Sequence, residues 1–213
     1  MPKFLISPWN AWQSSARRGL TAVSGAALLL GGCATLVPEA PPIVYDLTAP
    51  QQVNTGSART SRQLLVAEPT AVRFYATDRI VVRDDASTLS YYPQALWSDA
   101  LPQLFQARLA ETLEKTGRVR AVGVPGQGLL IDTRLVPEIR AFEVQVSQDG
   151  GAIAVVDIGL KVMNDANGRV LATADFAASV PAASDAAGDG VAALDQAFDT
   201  VLSEMTVFVL RRV

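Results

Sequence analysis

Three long stretches in which apolar and polar residues alternate, joined by glycine turns, limit what this chain can fold into. In the first, Leu129 to Val146, the segment Phe142-Glu-Val-Gln-Val146 alternates strictly. In the second, Ala154, Val156, Ile158, Leu160 and Val162 share one face, with Asp157 and Lys161 on the other. In the third, Val170, Ala172, Ala174, Phe176 and Val180 do the same, opposite Thr173, Asp175 and Ser179. A period of two sends successive side chains to opposite faces of a strand. Asp149-Gly150-Gly151 and Asn164-Asp-Ala-Asn-Gly168 supply hairpin turns between the stretches. The pattern predicts an antiparallel meander with one buried face.

Two helical patterns are available to cover that face. Leu101, Leu104, Phe105, Leu109 and Leu113 lie on one helical stripe. Ser98 is the expected N-cap, Pro102 sits in the first turn, Glu111 and Lys115 pair at i, i+4, and Gly117 ends the helix. Val191, Leu194, Phe198, Val201, Leu202, Met205 and Val209 form a second stripe. Short β-branched runs at Leu64–Ala67, Arg79–Arg83, Leu89–Tyr92 and Arg118–Val122 read as further strands, and Ile43–Leu47 as an edge strand or part of a linker. The expected fold class is α+β: a two-layer domain, an antiparallel sheet with two main helices packed on one face. With 49% hydrophobic and 18% charged residues, the chain has the apolar material to close such a core.

The first 33 residues follow a different logic. Lys3, Arg17 and Arg18 are their only charges, Leu20–Leu30 is an apolar run, and Gly31 and Gly32 precede Cys33, the only cysteine. A basic start, an apolar run about half of the ~20 residues a spanning helix needs, and small residues before a processing point make an export signal. Leu30-Gly31-Gly32-Cys33 resembles the bacterial lipobox. That resemblance implies signal-peptidase recognition at Leu30, Gly31 and Gly32, loss of residues 1–32, and lipidation of Cys33. Several acyl chains, at ~0.8 kcal/mol per buried methylene, would anchor the protein firmly. Ala34 rather than Asp after the cysteine resembles the enteric pattern for outer-membrane sorting. Residues 33–61, stiffened by Pro38, Pro41, Pro42 and Pro50, read as lipidated Cys and flexible tether, leaving 62–213 as the domain.

Composition narrows the chemistry. There is no histidine, so the commonest general base and metal ligand are missing, and one cysteine makes neither a disulfide nor a thiolate metal site. No catalytic residue, metal site or cofactor is expected. Loss of the signal lowers Lys+Arg from 18 to 15 against 21 Asp+Glu, a net charge of −6 that argues against nucleic-acid binding. Gly123–Gly128 lacks any phosphate-loop spacing, and Asp84-Asp85 and Asp185/Asp189 read as solvated acids. Tyr91, Tyr92 and Trp97 are the densest aromatic cluster, either core or a contact for a partner.

Arg79-Ile-Val-Val-Arg-Asp, Tyr91-Tyr92-Pro93, Leu96-Trp97, Leu101-Pro102-Gln-Leu-Phe105 and Gly117-Arg-Val-Arg-Ala-Val122 together resemble the ABC-type transport auxiliary lipoproteins, as do Tyr45-Asp46-Leu47 and Ile139-Arg-Ala-Phe142. The resemblance implies a non-enzymatic, outer-membrane-anchored component of a transport system for phospholipids or other hydrophobic molecules. Its partners would be an MCE-domain substrate-binding subunit, an ABC permease and ATPase, and the lipid membrane through acylated Cys33. Homo-oligomerisation stays open. The alternative role is a lipoprotein assembly factor for an envelope complex, without cargo contact.

Overall fold

The structure, a computed structural model, describes residues 40–147 and 150–213. Leu30, Gly31, Gly32 and Cys33, and Asp149 of the first hairpin, lie outside the described residues.

The expected meander forms the spine. Strands β7 (Thr133–Val146), β8 (Ala152–Asn164) and β9 (Val170–Pro181) are antiparallel neighbours, with Thr133 opposite Asn164 and Ile153 opposite Pro181. On its other side β7 pairs in parallel with three short strands, β2 (Gln63–Val66), β3 (Thr70–Ala71) and β4 (Arg79–Arg83). Beyond these, β6 (Ala121–Gly123) runs parallel to β2, β5 (Leu89–Trp97) antiparallel to β4, and β1 (Ile43–Tyr45) parallel to β5. The class is α+β, but the sheet is mixed rather than antiparallel throughout. Hairpin partners are announced by the turn between them; parallel partners meet through long connections that carry no local signature.

Helices α1 (Leu101–Lys115) and α2 (Ala187–Leu210) cover the sheet. All five stripe residues of α1 and all seven of α2 are buried. Phe198 of α2 meets Phe105 at 5.4 Å and Phe142 of β7 at 5.7 Å, and Trp97 stands edge-on to Phe142 at 6.0 Å. These rings fill the space between sheet and helices.

Two local expectations change. The N-cap of α1 is Ala100, without a side-chain cap, and not Ser98. The Ser98 amide donates to Tyr45 O (2.7 Å) and its hydroxyl to Asp46 Oδ1 (3.0 Å), which prolongs the extended backbone past β5 and delays the helix. Gly117 does stop α1, at φ +60°. The segment expected as a tether joins the domain from Ile43 onward. Leu47 and Ala49 are buried, and Asp195 of α2 accepts from the Thr48 amide (2.7 Å) and hydroxyl (2.8 Å). Further along, Arg118 donates to Ser57 O (2.8 Å), fixing a polar strap across the helix ends.

Candidate functional site

Alternation along β7 predicts a solvent-facing Glu143, since Phe142 and Val144 face the helices. Glu143 is instead 1% exposed. The chain between β3 and β4 brings Tyr75 over it, and the Tyr75 phenol donates to Oε2 at 2.6 Å. Arg83 donates through Nη2 to Oε2 (3.0 Å) and through Nε to Oε1, and Gln145 Nε2 donates to Oε1 (3.0 Å). Burial pushes the carboxyl up, but the bonds from Arg83, Tyr75 and Gln145 outweigh it, and Glu143 is held below the usual carboxylate range. Burial and then the Glu143 hydrogen bond push the Tyr75 phenol well up. Four donors saturate this carboxylate, which makes it a clasp on the outer sheet face rather than an acid or base.

The expected contact cluster is taken apart by the pleat. Trp97 is 3% exposed and packs on Phe142, so its ring is part of the core. Tyr92 points inward too. Its hydroxyl is buried without a hydrogen-bond partner among the described residues, and a Cβ on Gly190 of α2 would stand only 2.6 Å from it. Burial, and then Asp185 and Asp189, push the Tyr92 phenol up to about 12. Tyr91 points the other way, half-buried, stacked on Phe74 at 4.4 Å with the Arg79 guanidinium 3.9 Å from its ring centre. Tyr91 and Tyr92 part company because neighbouring residues on a strand face opposite sides.

The acidic pairs have local duties. Asp85 caps its own turn by accepting from the amides of Ser87 (2.7 Å) and Thr88 (2.8 Å) and from both hydroxyls, and the Ser87 amide first of all holds it down to about 2. Asp189 accepts from Ser184 Oγ. Among the described residues no group of three His, Cys, Asp or Glu is placed to hold a metal, and no helix is long and apolar enough to cross a membrane.

One surface feature remains that the sequence reading did not single out. A mostly apolar groove of about 440 Å³ runs between the strap at Gln52–Asn54 and the last turns of α2, floored by Val207 and Phe208 and flanked by Arg211 and Arg212. The Arg-Arg pair after an apolar stripe is visible in the sequence; that a strap turns it into a groove is not.

The sequence model of the ABC-type transport auxiliary lipoprotein component matches residues 45–206, from β1 to the penultimate turn of α2. The chain belongs to that family. Another similar sequence is an uncharacterised protein of Bradyrhizobium diazoefficiens, 29% identical over 166 residues. That alignment takes in 76% of this auxiliary lipoprotein and 43% of the relative, so the chain spans less than half the length of the curated relative it matches. Among solved structures, a Xanthomonas campestris protein from a domain family of unknown function is similar at TM-score 0.73 and 26% identity, covering 80% of this chain and 96% of that one. An uncharacterised protein superposes at TM-score 0.58 and 17% identity, covering 80% and 97%. The family match thus takes in the last residue of β1 and the strap that follows it.

Proposed function

We propose that this protein is an acylated envelope lipoprotein, held through Cys33 at the periplasmic face of the outer membrane. There it serves an ABC transport system containing an MCE-domain subunit, by binding and tethering rather than by catalysis. The observation that carries this reading is the family match over residues 45–206. The lipobox-like Leu30-Gly31-Gly32-Cys33 supports the anchor. The saturated Glu143 and the turn-capping Asp85 are carboxylates already committed to structure, which suits a binding component. The cargo is of the phospholipid or other hydrophobic class. The test is affinity purification of the full chain from crosslinked envelopes. Recovery of an MCE-domain protein together with its permease and ATPase is the expected result. Recovery of an envelope assembly complex without any ABC subunit would overturn the reading in favour of an assembly factor.

A further inference from the structure

Val207 and Phe208, near the end of α2, are only partly buried, and Phe208 packs edge-on against Phe176 of β9 at 5.6 Å, so both still present apolar surface to the groove. The strap passes beside them and supplies Val53 as a second apolar wall. It is held there: Arg118 donates to Ser57 O (2.8 Å) and Thr55 Oγ1 (3.4 Å), and the Thr60 amide to Arg118 O (2.8 Å). The resulting volume of about 440 Å³ lies within the range of small-molecule sites, roughly 300–1,000 Å³.

Charge is gathered at one end. Arg211 and Arg212 follow the last turn of α2, and neither has a carboxylate within 4.0 Å among the described residues. The Arg212 guanidinium sits 5.2 Å from the Phe208 ring centre, which poises it beside the apolar floor. Glu204 is the one acidic side chain of the lining, so the walls carry a net positive charge.

We infer that this groove binds an amphiphile with one apolar chain along Val53, Val207 and Phe208 and an anionic head, carboxylate or phosphate, on Arg211 and Arg212. A wholly polar ligand would forfeit its hydrogen bonds along the apolar floor. An uncharged apolar one would leave the arginine pair unused. An arginine pair on a carboxylate or phosphate makes charge-assisted hydrogen bonds, stronger than neutral ones. The inference deepens the transport reading by assigning this domain a ligand of its own, yet it stands on the groove alone.

The test uses the mature acylated protein in phosphatidylcholine nanodiscs. The discs are doped with photoreactive palmitate, photoreactive phosphatidylglycerol or photoreactive phosphatidylcholine, and adducts are mapped by peptide mass spectrometry. Adducts from the anionic probes are expected on the peptides carrying Val53 and Val207–Phe208. They should fall about tenfold with the phosphatidylcholine probe, and about tenfold in an R211E/R212E double variant with an unchanged melting curve. Labelling by palmitate alone identifies a fatty-acid head; labelling by phosphatidylglycerol identifies a phosphate head. Adducts confined to other surfaces, equal labelling by the zwitterionic probe, or undiminished labelling of the double variant would overturn the inference. The transporter partners are read separately by envelope purification, so failure of either result leaves the other standing.

Discussion

Tyr92→Phe removes a hydroxyl that is buried and, among the described residues, without a hydrogen-bond partner. Such a group gives up its bond to water on folding and regains nothing, so the variant should be as stable as the parent or up to about 1 kcal/mol more stable. Trp97→Ala, by contrast, should cost ~3–5 kcal/mol, because it opens a cavity against Phe142. Urea unfolding of the two variants side by side checks both, and a Trp97→Ala midpoint equal to the parent's would remove that ring from the core. The Glu143 clasp adds a pH signature. Its carboxyl titrates below the ordinary 4.5 in the folded protein. Ionised Glu143 therefore favours folding above that range, and the contribution fades as pH falls through it. In Arg83→Met the largest offset to burial is gone, so the folded carboxyl should titrate higher than in the parent and favour folding less once charged. The expected deficit is about 3 kcal/mol at neutral pH, shrinking as pH falls and the carboxyl takes up its proton in both proteins. A deficit that stays constant with pH would mean Glu143 is not the group involved.

Among the elements, α1 was the most legible, because a helical stripe repeats within a few residues and needs no knowledge of the rest of the chain. Its buried face gives a paired prediction. Leu109→Asp places an uncompensated carboxylate at a fully buried position and should abolish cooperative melting. Glu111→Ala breaks partly exposed pairs to Lys115 (2.7 Å) and Arg108 (2.9 Å) and should cost only about 0.5 kcal/mol. Similar melting curves for both variants would show the face to be misassigned. The meander was readable for the same reason as α1, since period-two alternation and glycine turns are local. Burial of Glu143 was not readable, because it depends on a loop roughly seventy residues upstream folding over the outer face. Ser98 lost its capping role for a comparable reason: β1, about fifty residues earlier, holds its backbone extended. The two-residue strand β3 is too short to carry any period. The groove needed both the strap and the end of α2 in place before its residues became neighbours.

For the whole molecule, the reading of Cys33 makes the sharpest claim. Cys33→Ser should abolish incorporation of a palmitate analogue and leave the precursor unprocessed, since no second cysteine can substitute. Undiminished labelling would remove the anchor from the account. The mixed sheet carries a different consequence, for the order in which the domain assembles. β7 meets β8, and β8 meets β9, through tight turns, but β7 reaches β2 across 69 residues, the separation of the Gln63–Asp132 hydrogen bond. Short loops close fast and long ones slowly, so the meander with α2 should organise first and the earlier strands should dock onto it. Pulse-labelled hydrogen exchange during refolding should therefore protect amides of β8 and β9 before those of β2 and β4; the reverse order would refute it. A chain that crosses a membrane from its N-terminus delivers β2 through β5 before β7, the strand that β2, β3 and β4 pair with, has emerged. On the export route proposed above, β2, β3 and β4 then lack their β7 partner until the second half of the chain has followed.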